Sequence, residues 1–428
     1  MSAPTAMNAP TLPLMSRRPT VDKISLLRRP KTLKRENTMN AMTSLLTRLV
    51  LPLSALAIPL SLAAQDKQNH RPVRYSLQVI GTLGGTFSEA HGLNNKGSTA
   101  GQSLLVDSNF PLHAFLWQKG AMVDLGTLGG QNSLVPVANH TVNERDAVIG
   151  NSETSTPDPN GEDLCGLGTF FICLPFVWQE DVLTALPTLG GNNGNAGGIN
   201  NRGQIVGTVE TPNFDPCSLP FAQQIQAVIW EHGVVQEVLP PFGGTAAAAN
   251  AINDNGQVVG ESGCVSGNTY AVIWQHGRAI NLGSLGGVTG NLAFDINNKG
   301  QVVGQSDLPG DTLHHAFLWQ KGVMTDLGSL SDALPTSQAI GINNQGQVVG
   351  FSQNAAAEDA SSVAVLWENG TITDLNTVIP AGSSLFLMEA TAINDRGEIA
   401  GFGRLPNNPD DHRGFILIPC RAAPVGSC

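Results

Sequence analysis

The residues of this chain best suited to chemistry are histidines and carboxylates placed close to a recurring asparagine. His91 and His140 each stand three residues before such an asparagine, Asn94 and Asn143. Glu89, Asn250, Asp295 and Glu389 fall two to five residues before equivalent asparagines at 94, 253, 297 and 394. A histidine titrates near neutrality and can move a proton, and a carboxylate can act as acid, base or ligand. Structural hydrogen bonding is the default role for such groups. The six therefore form a candidate ligand-binding set, and no residue is assigned a catalytic role. His113, His314 and His315 stand at strand starts and His232 and His276 in turns, where solvent exposure is expected.

Metal and cofactor chemistry finds little support. The stretch INNKGQVVG, Ile296 to Gly304, has the side-chain oxygens and the glycine of a calcium loop. Yet Lys299 would face the ion, and no downstream carboxylate completes the shell. The LGG glycines, such as Gly129-Gly130 and Gly286-Gly287, lack the spacing of a phosphate-binding fingerprint. No HExxH, nucleophile elbow or consistent acid pair occurs. The expectation is a protein with no cofactor and no metal, in which INNKGQVVG is a turn.

That turn motif occurs seven times: LNNKGSTAG (93–101), VNERDAVIG (142–150), INNRGQIVG (199–207), INDNGQVVG (252–260), INNKGQVVG (296–304), INNQGQVVG (342–350) and INDRGEIAG (393–401). The asparagine and the glycine seven residues later are present in every copy. A second motif, of the form HAFLWQKG or AVIWEHG, follows each copy and holds all six tryptophans: Trp117, Trp178, Trp230, Trp274, Trp319 and Trp367. The seventh version is degenerate, RGFILIP (413–419). A third motif, DLGTLGG or a relative, comes next.

Glycine at the fifth motif position takes positive φ without steric cost, which fits a three-residue hairpin loop. The asparagine can bond its own backbone two residues on. Asp146 replaces the glycine in the second copy, and aspartate tolerates that conformation better than most residues. A second hairpin follows each tryptophan. Each repeat thus carries four short strands, an Ala-rich one, GQVVG, AFLW and DLGTL. The apolar runs QVVG and AFLW predict strands covered on both faces, and the tryptophans read as packing between sheets. Four-stranded units recurring every 44 to 57 residues predict propeller blades. The last repeat lacks a fourth strand, while YSLQVIGTLGG (75–85) is a fourth strand without a repeat. Pairing the two removes the open edges. The expected fold is an all-β, seven-bladed β-propeller of four-stranded blades, closed by the N-terminal strand completing the last blade. The Ala-rich strand is then innermost, and its polar residues are expected to line the central channel.

HAFLWQKG at His113 and His315, followed by DLGTLGG and INNxGQVVG, resembles the HAF-repeat family of bacterial extracellular repeat proteins. The likeness covers residues 75–419 and implies export and a repeat fold. The family carries no catalytic residue to transfer, and only two repeats keep His-Ala-Phe intact.

Composition bounds the rest. Residues 1–38 are a basic extension, with Met39 or Met42 the more natural start, and residues 39–64 read as a secretory signal. Residues 65–420 form the propeller and 421–428 a tail. A membrane anchor is the alternative to the signal, but the apolar run Leu49–Leu62 is short and holds Pro52 and Pro59. Cleavage would leave no membrane span. The whole chain carries a formal charge of −11, and nine of its 23 basic residues lie in the first 64 residues, against two of its 34 acids. The exported part is therefore more acidic still, which excludes nucleic acid as a partner. Six cysteines without a CxxC pair predict disulfides, here Cys165–Cys173, Cys217–Cys264 and Cys420–Cys428. The expected molecule is a monomer at the cell surface, in the periplasm or in the medium. It binds an extracellular glycan or protein without catalysis. The alternative is a propeller lyase or glycosidase acting on an extracellular polysaccharide. The loop 151–175 is the expected contact surface.

Overall fold

The asparagine turn decides the local structure of every repeat. In each copy the asparagine N–H and C=O close a short hairpin, as in Asn297 N to Gln301 O at 3.1 Å and Gly300 N to Asn297 O at 3.0 Å. The glycine takes a left-handed φ, 74° at Gly300, and Asp146 takes 61° in its stead. The hairpins assemble into seven four-stranded antiparallel sheets in the computed structural model, which describes residues 73–106, 111–218, 223–264, 267–332, 335–353, 362–406 and 408–420. All of these belong to one compact unit, Asn69–Cys428. The basic extension, the signal segment and the tail from 421 lie outside the described residues.

Blade 1 comprises Ser88–Leu93, Thr99–Leu104, Leu112–Gln118 and Ala121–Asp124. Blade 2 comprises Ser133–Leu134, Val148–Pro157, Phe171–Gln179 and Val182–Ala185, and blade 3 Gly194–Ile199, Ile205–Phe214, Gln223–Glu231 and Val234–Val238. Blade 4 holds Ala246–Ile252, Val258–Gly263, Thr269–Gln275 and Arg278–Asn281, and blade 5 Asn291–Ile296, Val302–Asp307, His314–Gln320 and Val323–Asp326. Blade 6 holds Ser337–Ile342, Val348–Gln353, Ser362–Glu368 and Thr371–Asp374. Blade 7 takes Phe386–Ile393, Ile399–Leu405 and Asn408–Pro419 from the carboxyl end and Tyr75–Val79 from the amino end. The closing pair runs in register from Tyr75 opposite Pro419 to Val79 opposite Phe415. The molecule is a seven-bladed β-propeller, closed as the sequence predicts. Among the described residues the only helical pieces are two 3-10 turns, Pro216–Ser218 and Leu375–Thr377.

The core lies between blades. One cluster joins Val206 and Ile229 of blade 3 to Ala247, Val258 and Trp274 of blade 4, and another joins Ile416 and Ala400 of blade 7 to Phe115 and Trp117 of blade 1. Five tryptophans are buried, and Trp319 packs half-buried against the cluster between blades 4 and 5. The tryptophans are therefore core, as expected. Burying such rings between sheets supplies the main stabilisation, and truncating one costs ~3–5 kcal/mol.

Blade 2 departs from the expected pattern. Its innermost strand is reduced to Ser133–Leu134, with a lone bridge at Val142. His140 is therefore on a turn and not on an Ala-rich strand. Local sequence contributes: Pro136 has no backbone N–H to donate to the neighbouring strand, and pairing stops at Leu134.

Candidate functional site

Seven asparagines form the narrow end of the channel. Each side-chain oxygen accepts two backbone N–H bonds from its own turn; Asn297 Oδ1 accepts from Lys299 and Gln301, both at 3.0 Å. Each side-chain nitrogen then donates to the backbone carbonyl of the next asparagine: 94 to 143, 143 to 200, 200 to 253, 253 to 297, 297 to 343, 343 to 394, and 394 back to 94. In the four turns with Gln204, Gln257, Gln301 or Gln347, the glutamine accepts the remaining amide proton. A second ring is built from the following residues, in which each side-chain oxygen accepts the backbone N–H of the blade before, as Asp395 Oδ1 does from Asn344 at 2.8 Å and Asn95 Oδ1 from Asp395 at 2.8 Å. The oxygens that a calcium ion would need are committed to N–H groups, so INNKGQVVG acts as turn and as inter-blade tie.

Above this end the channel is crossed by the irregular segment 135–141 of blade 2. Asn139 Nδ2 donates to Asp295 Oδ2 of blade 5 at 2.8 Å, and Asn139 Oδ1 accepts from Ile393 N of blade 7 at 2.9 Å. His140 Nδ1 lies 2.8 Å from Asp295 Oδ1, and the His140 carbonyl accepts from Ile199 N of blade 3 at 2.9 Å. The Val135 carbonyl meets His91 Nδ1 of blade 1 at 2.7 Å. Asp295 is fully buried and accepts four donors, the other two being Ile296 N and Ile342 N at 2.8 Å. Burial acts against protonation of His140, but the Asp295 carboxylate, with Asp254 and Asp395 further off, outweighs it and raises the His140 pKa. Small residues make room for the crossing: a Cβ on Gly92 would stand 2.0 Å from Thr141 Oγ1.

The remaining candidates separate into two groups toward the wide end of the channel: Glu89 and Glu389 stand five residues, about 16 Å, along the strand from the asparagine ring, and Asn250 three residues, about 10 Å. At the seam of blades 7 and 1, Glu89 Oε2 accepts from Gln102 Nε2 at 3.0 Å and faces His91 Nε2 at 3.3 Å, while Oε1 faces His412 Nδ1 at 3.2 Å. His412 is stacked between Phe87 and Phe402, with centroids 5.6 Å away on both sides. Burial acts to raise the Glu89 pKa, but its bonds to His412 and His91 and their charge pull it down to about 2. Glu389 is pushed up to about 7, first by burial and then by the Glu89 carboxylate. On the opposite side, between blades 2, 3 and 4, lies a cavity of about 290 Å³ that holds Asn250 and Glu261. Asn250 Nδ2 donates to Glu261 Oε2 and to the Ala293 carbonyl.

The sequence-derived set is thus divided. Glu89, His91 and Glu389 meet; His140 and Asp295 meet across the channel; Asn250 belongs to a third place. Two expectations are corrected. His91 and Asp295 do not line open channel, being 1% and 0% exposed, because the crossing segment covers them. His113 and His315 are also not solvent-exposed: their side chains are 15% and 14% exposed and pair with Asp124 and Asp326 at 2.8 and 2.9 Å. His412, Phe402 and Glu261 escaped notice in the sequence. The last two follow the invariant glycine directly, at the strand position opposite the residue five before the asparagine, and that pairing was the available signal.

The wide rim carries the disulfides Cys165–Cys173 and Cys217–Cys264, both as expected. The partner predicted for Cys420, Cys428, lies outside the described residues. Phe170, between the first two cysteines, is 52% exposed at φ 58°, and Phe214, three residues before Cys217, is 71% exposed. Beneath them Glu210 is buried beside Glu162, and burial, with the Glu162 carboxylate adding to it, pushes the Glu210 carboxyl up to about 7. Among the described residues no group of three or more His, Cys, Asp or Glu side chains is arranged to hold a metal ion, and no helix is long and apolar enough to cross a membrane.

No family model and no curated protein matches the chain. Among solved structures it is similar to the acylaminoacyl peptidase of Pyrococcus horikoshii, with 12% identity, 77% of this chain and 52% of that chain covered, and a TM-score of 0.46. It spans about half the length of that peptidase. It is also similar to a protein of unknown function from Dyadobacter fermentans (11% identity, 81% and 99% covered, TM-score 0.38) and to the Aleuria aurantia lectin AAL in complex with Fucalpha1-6GlcNAc (12% identity, 73% and 100% covered, TM-score 0.32). At these scores the likenesses carry no functional argument, and the architecture stands on the chain's own strand pairing.

Proposed function

We propose that the chain is an exported, non-enzymatic interaction scaffold of the HAF-repeat kind, engaging an extracellular protein through its wide rim. The observation that carries this reading is the pair of exposed phenylalanines, Phe170 and Phe214, beside the disulfides of adjacent blades. Exposed aromatic side chains on backbone held by a strand end or a disulfide lose little entropy on docking and are typical anchors of protein interfaces. The disulfides fit an oxidising compartment, which supports export. The channel groups support the absence of catalysis. Asp295 has four donors and Glu89 three, so neither is free to take a proton from a substrate.

The test is recovery of a partner from extracellular material on the immobilised protein, beside a glycan array and a polysaccharide-degradation screen. The expected result is one protein partner whose affinity falls about tenfold or more when Phe170 and Phe214 are both changed to Ala, with no turnover of any polysaccharide. A glycan as sole ligand would overturn the partner class.

A second reading, a lyase or glycosidase, rests on one observation. Glu89 and Glu389 have pKa values pushed apart, to about 2 and about 7, as in a base and acid pair. Turnover lost on Glu389→Gln would establish that reading and overturn the first.

A further inference from the structure

We propose that the cavity between blades 2, 3 and 4 is a binding site for a single neutral sugar ring. At about 290 Å³ it stands at the small end of ligand pockets, a size for one ring and not for a chain. It exists because Gly197 occupies a strand position that carries His91, Asn250 and Phe294 in other blades. No side chain fits there, since a Cβ would stand 2.3 Å from the Ala249 carbonyl oxygen. Val137 and Phe294 supply apolar walls.

The polar walls have hydrogen-bonding capacity to spare. Asn151 Oδ1 accepts from Ala196 N at 2.8 Å, which leaves its amide nitrogen to the cavity. One Glu261 oxygen accepts from Asn250, and the other has no protein partner among the described residues. The Asn195 amide and the Thr208 hydroxyl, opposite each other in register, likewise have none there. These half-buried groups reach solvent, so water or a ligand supplies their partners. A polyol, with donors and acceptors round an apolar face, matches this alternation. Charge selects further. No Lys or Arg lines the cavity, so an anionic sugar finds no counter-charge. Burial pushes the Glu261 carboxyl up to about 7 against the opposing bond from Asn250, so near neutrality it can donate a proton to a hydroxyl.

The inference is independent of the rim reading. Its test is calorimetric titration of the purified full chain with glucose, galactose, mannose, fucose and N-acetylglucosamine, with glucuronate as the charged control. At least one neutral sugar is expected to bind saturably, and glucuronate about tenfold more weakly. Thr208→Val and Asn195→Ala are each expected to weaken binding roughly three- to tenfold without shifting the thermal midpoint. The Phe170→Ala, Phe214→Ala variant is expected to bind sugar as the native chain does. Absence of saturable binding, preference for a charged sugar, or equal affinity in the Thr208 and Asn195 variants overturns the inference. If sugar binding fails while the rim partner still binds, only this site falls.

Discussion

The two glycines that six of the seven turn motifs carry serve different ends, and substitution separates them. Gly300 needs its left-handed φ and has only ordinary contacts around a Cβ, so Gly300→Ala is expected to cost about 1 kcal/mol. A Cβ on Gly304 would lie 2.0 Å from the Leu292 carbonyl oxygen, and the equivalent glycine meets a backbone oxygen at 1.9–2.4 Å in all seven blades. Gly304→Ala is expected to cost several times more, ~3 kcal/mol or above. Chemical denaturation of the two variants checks this; equal costs would contradict the close-approach explanation. Charge at single residues also predicts a pH profile. Glu210, Glu261 and Glu389 are raised to about 7 from the ordinary 4.5, so folding favours their protonated forms. The stability they contribute is fully present below the unfolded value of 4.5 and is lost as pH rises from there through about 7. Glu89 is lowered to about 2, so its contribution holds above the unfolded value and is lost as pH falls toward 2. Thermal midpoints are expected to peak at about pH 4.5–5. The decline toward pH 8 should flatten in the Glu261→Gln, Glu389→Gln variant, and an unchanged decline would contradict the assignment.

At the scale of elements, the sequence is legible wherever the repeat is regular. Turns, strand order and two of the disulfides follow from the motif, because glycine, asparagine and apolar runs have few structural readings. It is least legible where a contact joins residues far apart in the chain. Asn139 and Asp295 meet across the ring, and no local pattern encodes that pairing. Six of the seven innermost strands also hide a bulge three residues before the asparagine, as at His91 and Asn250. A bulge re-aims side chains, so strict alternation misplaces what lines the channel. The disulfide between blades 3 and 4 closes a separation of 47 residues. Replacing Cys217 and Cys264 by Ser is expected to destabilise the fold by ~2–4 kcal/mol and to speed proteolysis of the wide-rim loops. No change in either would contradict a stapling role.

The whole molecule is a ring held by three devices: apolar clusters between blades, the asparagine ties, and the closing strand. The closing strand was readable because the missing and spare strands are complementary. Removing Tyr75–Val79 would leave Asn408–Pro419 as an open edge and is expected to give aggregation or strand exchange in place of a monodisperse species. The central claim is that the channel's polar groups cross-link the ring and do not perform chemistry. A double-mutant cycle between Asn139→Ala and Asp295→Asn, read by equilibrium denaturation, tests it most directly. The expected result is a coupling of at least ~1 kcal/mol between residues 156 apart in sequence. Additive effects within experimental error would contradict it.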